Sequence, residues 1–178
     1  MESPRVVQLR NPALAAGLAW LVPGLGHFYQ RRVGKGILYT TCILGLYAVG
    51  FAIGEGNVVL WSWVNPLRDP EQFDLWYLAQ FFVGLPALPA LIQGTLAHLG
   101  RGPILGGFMA EPTQAVLNGL YPRLGKLVEI SKIYTAAAGL LNIFAIYDAY
   151  AGPAQASAAE PATPAEVAKP LVPAEAAR

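Results

Sequence analysis

Asn142 is a polar residue within an apolar stretch of the chain that is long enough to cross a membrane. Polar groups at membrane depth are costly, so such a residue invites a functional interpretation. Asn142 shares one helical face with Thr135 and Gly139, at the spacing i, i+4, i+7, which is typical of a packing stripe between helices. We therefore favour a structural role for Asn142.

Asp148 is the second candidate intramembrane polar residue. It lies close to the end of the same stretch, where a carboxylate can reach water, and on a different helical face from Asn142. A proton or ion site at Asp148 would need a partner from another segment, such as His27 or Arg31. The sequence by itself does not join these residues.

Aromatic and basic residues follow a break in the first apolar segment. Pro23, Gly24 and Gly26 interrupt that segment. Aromatic rings favour the membrane–water interface, and basic side chains meet anionic headgroups there. The simpler interpretation is a hairpin corner whose basic collar sets the topology; the functional one is a corner that binds lipid headgroups or a partner. The residues concerned are His27, Tyr29, Arg31, Arg32 and Lys35.

Enzyme and metal-site signatures are missing from the sequence. It contains no Gly-x-Ser-x-Gly, no His-Glu-x-x-His and no glycine-rich phosphate loop. The single cysteine, Cys42, excludes a Cys-based zinc cage, and the two histidines, His27 and His98, argue against a His-rich site. A net charge of +1 argues against nucleic-acid binding. We expect no catalytic residue, no metal and no cofactor.

The elements that carry these residues are predicted to be membrane helices. Of the 178 residues, 54% are hydrophobic and 13% are charged, whereas soluble domains carry roughly 25% charged residues. We expect an all-α, polytopic protein of the cell (inner) membrane with about four transmembrane helices. The predicted segments are 12–30, 33–54, 74–99 and 131–150.

Two of these segments are interrupted by proline. The first would be barely long enough to cross as a straight helix of about 28 Å. The third contains Pro86 and Pro89 near its middle, which favours a kinked span. Paired broken helices are found at transporter sites. The two halves of the chain show no convincing sequence repeat, so a small transporter or channel subunit is the alternative rather than the leading hypothesis.

The remaining regions are polar or of biased composition. Residues 1–10 are a polar N-terminus, 11–54 a helical membrane hairpin, 55–73 a tryptophan-containing loop, and 74–150 two further helices joined by an amphipathic region. A short helix from Glu111 to Leu120, stopped by Pro122, is expected in that region. Residues 151–178 are rich in Ala and Pro and have no aromatic residue, which predicts a disordered tail.

The number of crossings is left open by the charges. With four spans, seven basic residues lie on one side and three on the other, which places both termini outside the cytoplasm. If the first segment enters and leaves on one side, three spans remain and the count becomes nine against one. Hydropathy favours the crossing version, and charge favours the re-entrant one.

The stretch around the break resembles the two-transmembrane-helix domain family. It is still more similar to uncharacterised bacterial membrane proteins with a Pro-Gly-x-Gly-His-x-Tyr motif after the first helix. The resemblance covers residues 11–50 and implies a bacterial membrane hairpin without naming an activity. The Asp-Arg-Phe triplet of the animal members is absent, so receptor-like signalling is not implied. The matching positions are Gly24, Gly26, His27, Phe28, Tyr29, Arg31 and Gly34.

These observations lead to one functional hypothesis. We expect a non-enzymatic integral membrane protein that acts through helix–helix, lipid or partner contacts. Its predicted partners are membrane lipids and either a second copy of the chain or another membrane protein.

Overall fold

The computed structural model describes residues 10–63 and 75–152. Within these residues the secondary structure is entirely helical, which confirms the all-α prediction. The expected polar N-terminus, most of the tryptophan loop and the expected tail lie largely outside the described residues. The α-helices are α1 (Pro12–Leu21), α2 (Leu25–Tyr29), α3 (Val33–Ile53), α4 (Trp76–Gln80), α5 (Leu88–His98), α6 (Gln114–Leu124) and α7 (Leu127–Ala151).

The long helices α3 and α7 pack against each other in antiparallel orientation. Gly50, near the end of α3, lies against Ser131 and Tyr134, near the start of α7. At 21 and 25 residues, the two helices are about 31 and 37 Å long, enough for the ~30 Å hydrocarbon core. They are the two helices of the described residues that are long and apolar enough to cross a membrane.

Both helices are apolar on their exposed faces as well as at their contact. Only 22% of the most apolar 18-residue window of α3, and 39% of that of α7, is buried. On α7, Leu140, Phe144 and Tyr147 are exposed. The core helix of a soluble protein would have most of these side chains covered.

The first predicted segment folds back on itself. Helix α1 begins as expected, with the Asn11 side chain accepting a hydrogen bond from the Leu14 amide and Pro12 in the first turn. It ends at Leu21, and Gly24, with a φ of +86°, reverses the chain into α2. The Arg10 guanidinium then donates to the carbonyl of Tyr29, at 3.3 Å, so the two ends of the segment lie side by side. We call residues 12–29 hairpin 1.

The third predicted segment is a second hairpin. Helix α4 and a 3₁₀ turn lead to Gly84, whose φ is +84°, and a further 3₁₀ turn leads into α5. The hydroxyl of Tyr77 on the first arm donates to the carbonyl of Ala87 on the second, at 2.8 Å. Trp61 packs on Tyr77, and Trp63 packs on His98, so both ends of this segment lie near the same loop. We call residues 76–98 hairpin 2.

The prediction of about four spanning helices was therefore wrong. Proline breaks within segments 12–30 and 74–99 give hairpins whose longest helices have 10 and 11 residues. The expected stop at Pro122 was also wrong, because α6 continues through it to Leu124. Pro122 removes one backbone donor, the one that would bond the carbonyl of Asn118, and α6 extends only two residues beyond it.

Candidate functional site

The C-terminal end of α7 meets hairpin 1 and the start of α3 in a cluster of charged and polar side chains. Asp148 lies at the centre. Its Oδ2 atom is 2.7 Å from an Arg32 guanidinium nitrogen and 2.9 Å from His27 Nε2, and both of its oxygens are 3.1 Å from Lys35 Nζ. We call His27, Gln30, Arg32, Lys35 and Asp148 the corner network.

The same network satisfies the backbone at the end of α7. Arg32 donates to the carbonyl of Asp148 at 3.0 Å, and the Gln30 amide donates to the carbonyl of Ala149. Residue 153, four positions after Ala149, is Pro153, which has no N–H to offer that carbonyl. Gln30 therefore supplies a hydrogen bond that the helix cannot make for itself.

His27 is fully buried, and its ring packs against Tyr39 with centroids 4.7 Å apart. Burial lowers the pKa of His27, and the hydrogen bond to Asp148 opposes that effect. Because a carboxylate can only accept, a neutral His27 carries its proton on Nε2 and leaves Nδ1 as an acceptor. Nδ1 is buried and has no hydrogen-bond partner among the described residues.

The other predicted corner residues lie outside the network. Arg31 is exposed in a left-handed backbone conformation, with a φ of +60°. Tyr29 is half-buried, and the Arg10 guanidinium carbon lies 5.5 Å from the centre of its ring. Arg10, Arg31 and Lys35 thus present positive charge to the surroundings, whereas the Arg32 side chain is only 12% exposed.

Asn142 lies where the tips of the two hairpins meet α7. Its amide nitrogen donates to the carbonyl of Ala19 at 3.0 Å and to the carbonyl of Phe82 at 2.8 Å. Four residues after these carbonyls stand Pro23 and Pro86, which cannot donate the usual helical hydrogen bond. One buried side chain thus satisfies a carbonyl in each broken segment.

The predicted packing stripe on α7 also contacts hairpin 2. Thr135 accepts a hydrogen bond from the Gln80 amide at 2.8 Å. A Cβ at Gly139 would overlap the carbonyl oxygen of Ala79, so only glycine permits this approach. In hairpin 2, Pro86 and Pro89 open the turn and the start of α5. The stripe holds hairpin 2 against α7.

Chemically, the arrangement is suited to holding charge. The corner network places one carboxylate among Arg32, Lys35 and His27, with no hydroxyl or thiol in the network to act as a nucleophile. In the part of the chain that the structure describes, no group of three or more His, Cys, Asp or Glu side chains could hold a metal ion.

One protein family matches most of the chain. Residues 14–162 match DUF6677, a family of unknown function. The chain belongs to that family. The match extends well beyond residues 11–50, and the likeness of that stretch to the two-transmembrane-helix domain family stays a prediction. No curated protein and no solved structure matches the chain.

Sequence reasoning named His27 as a partner that Asp148 would need, and the structure brings the two together. The arginine in the network is Arg32 rather than Arg31. Gln30 was missed. Pro153, four residues after Ala149, indicates that the end of α7 needs a side-chain donor. Gln30 is one of the few side-chain amides in the chain, and it lies close to the break at Pro23.

Proposed function

We propose that the protein is a multi-pass integral membrane protein of the bacterial inner membrane that acts through lipid contacts rather than catalysis. The basic residues at and beside the corner network would bind the phosphate of anionic lipid headgroups. The observation that carries this proposal is the excess of positive charge at one end of the α3–α7 pair. Arg32 and Lys35 pair with the carboxylate of Asp148, Arg10 contacts Tyr29 at the end of hairpin 1, and the exposed Arg31 directly precedes Arg32.

The distribution of that charge supports a headgroup site. Arg31 is exposed, the Arg10 guanidinium lies over the ring of Tyr29, and the Lys35 side chain is 45% exposed although it contacts Asp148, so these three cations can reach a ligand. Basic side chains near a membrane surface contribute about 1 kcal/mol each to binding anionic lipid. The half-buried ring of Tyr29 beside Arg10 suits the depth of the interface.

The experiment compares lipid binding by variants of the full chain in detergent. Phosphatidylglycerol and phosphatidylcholine are titrated separately, and bound lipid is counted by native mass spectrometry. Replacing Arg10 and Arg31 with Gln should weaken phosphatidylglycerol binding roughly 30-fold, since about 2 kcal/mol of attraction is lost. Phosphatidylcholine binding should not change.

The matched control removes two exposed charges from the opposite end of the protein, in Arg101→Gln/Lys126→Gln. It should retain phosphatidylglycerol binding at the corner. If the control loses as much binding as Arg10→Gln/Arg31→Gln, the attraction is a property of the whole surface. If neither variant loses binding, the corner is a structural joint only.

A small transporter or channel subunit remains the second candidate. The observation that favours it is the meeting of two proline-broken segments at Asn142, since paired broken helices form solute sites in transporters. Ion or solute flux in reconstituted vesicles that exceeds that of empty vesicles would support this candidate. Flux equal to that of empty vesicles would remove it.

A further inference from the structure

The two halves of the chain share a sequence of elements. Each half consists of a hairpin followed by a long helix: hairpin 1 precedes α3, and hairpin 2, followed by α6, precedes α7. Each hairpin reverses at a glycine beside a proline break, with φ values of +86° at Gly24 and +84° at Gly84. The long helices run in opposite directions, so one half is inverted relative to the other.

Corresponding threonines connect each long helix to its own hairpin. Thr40 of α3 donates to the carbonyl of Pro23 in hairpin 1 at 2.8 Å. Thr135 of α7 accepts from the Gln80 amide in hairpin 2, also at 2.8 Å. The two threonines lie in the eighth and ninth positions of their helices.

Seven residues after each threonine, a polar side chain reaches the other hairpin. Tyr47 of α3 donates to the carbonyl of Pro86 in hairpin 2 at 3.0 Å. Asn142 of α7 donates to the carbonyl of Ala19 in hairpin 1 at 3.0 Å. The spacing from threonine to donor is the same in both halves, and in both the target is a carbonyl near a proline break.

The ends of the long helices correspond as well. Asp148, near the end of α7, pairs with Arg32, just before α3. Glu55, just after the end of α3, pairs with Arg123, shortly before α7. Each end of the α3–α7 pair is therefore closed by a carboxylate from one helix and an arginine that precedes the other.

We propose that the chain is an inverted repeat of two hairpin-plus-span units. In the membrane, α3 and α7 cross, and the hairpins enter from opposite faces and meet at mid-depth. The ring contact between Trp20 and Phe81, at 5.4 Å, and the packing of Gly84 on the Trp20 carbonyl lie at this meeting point. The ion pairs Asp148–Arg32 and Glu55–Arg123, one at each membrane face, set the register of the antiparallel helices.

This architecture needs no second copy to satisfy its broken backbone. Non-helical backbone at membrane depth is tolerated only when protein or water covers it. Pro23, Gly24, Val83 and Gly84 are all buried within the single chain. The proposal requires membrane insertion but is independent of lipid binding at the corner, so the two can fail separately.

Cysteine labelling from each side of the membrane tests the repeat. In a Cys42→Ser background, single cysteines replace Ser3, Ser62, Thr113 or Ser157 and are exposed to a membrane-impermeant maleimide in intact and in permeabilised vesicles. The repeat predicts that positions 62 and 113 label from one side and that positions 3 and 157 label from the other. All four should label after permeabilisation.

Two results would overturn the proposal. Labelling of positions 62 and 113 from opposite sides would mean that residues 74–99 cross the membrane, so that hairpin 2 does not exist there. Labelling of positions 3 and 62 from the same side would mean that residues 12–30 cross. Each substitution replaces a small polar residue in a chain end or loop. As a folding control, the stability of each variant in detergent is compared with that of the wild type.

Discussion

Replacing Asn142 with leucine is the most informative test of how the broken segments are held together. The side chain is fully buried, and its amide nitrogen donates to the carbonyls of Ala19 and Phe82. Leucine has the same number and branching of side-chain heavy atoms but no donor, so the substitution removes two hydrogen bonds without leaving a cavity. Neither carbonyl can accept the usual helical hydrogen bond, because the residues four positions later are Pro23 and Pro86, which have no N–H.

The expected loss of stability follows from the number of bonds. Hydrogen bonds between membrane helices contribute about 0.6 kcal/mol on average and at most about 1.7 kcal/mol. Two such bonds, with both acceptors left buried, give an expected loss of about 1–3 kcal/mol. Asn142→Asp should be destabilised at least as much, since a carboxylate facing two carbonyl oxygens has no proton to donate.

The assay is reversible unfolding of the purified chain in mixed micelles with increasing sodium dodecyl sulfate, followed by circular dichroism. Leu141→Ala serves as control, because Leu141 is exposed on the neighbouring position of α7. It should unfold close to wild type. An Asn142→Leu variant as stable as wild type would show that the carbonyls of Ala19 and Phe82 do not depend on this amide.

Five further substitutions have defined outcomes in the same unfolding assay. Gly84→Ala should cost about 3 kcal/mol or more of stability, because Gly84 has a positive φ and a Cβ there would overlap the Trp20 carbonyl. Gly17→Ala is its control: the space around Gly17 is open, so alanine should gain up to ~1 kcal/mol of helix stability. Asp148→Asn should cost about 2 kcal/mol, because the largely buried Arg32 loses its charged partner. Glu55→Gln, in an exposed pair, should cost less than about 1 kcal/mol. Tyr47→Phe should cost about 1 kcal/mol for one lost hydrogen bond.

The helical class and the course of α3 follow directly from the sequence, because a 21-residue segment with one charged residue and no proline has few alternatives. The hairpins followed only in part: the charge count favoured a re-entrant first segment, whereas the third segment was expected to be a kinked span. A proline such as Pro23 or Pro86 interrupts a helix whether the chain then kinks or reverses. The outcome depends on contacts distant in sequence, such as that between Asn142 and Ala19, 123 residues apart.

The corner network was likewise predictable only where it depends on residues that are close together in sequence. Its basic residues were recognisable, because Arg31, Arg32 and Lys35 follow an aromatic cluster at a helix break. The position of Asp148 among them was not, since α7 and hairpin 1 are brought together only by the tertiary fold. Helix geometry on α7 also separates Asp148 from Asn142, and the structure gives them separate partners.

The most direct test is whether residues 12–29 fold back in the native protein. Spin labels at Arg10→Cys and Arg31→Cys, in a Cys42→Ser background, would report the distance between the two ends by electron paramagnetic resonance. The contact of Arg10 with the Tyr29 carbonyl predicts strong dipolar broadening from labels that lie close together. A separation of about 32 Å, the length of a continuous helix between these positions, would contradict the hairpin and the corner built on it.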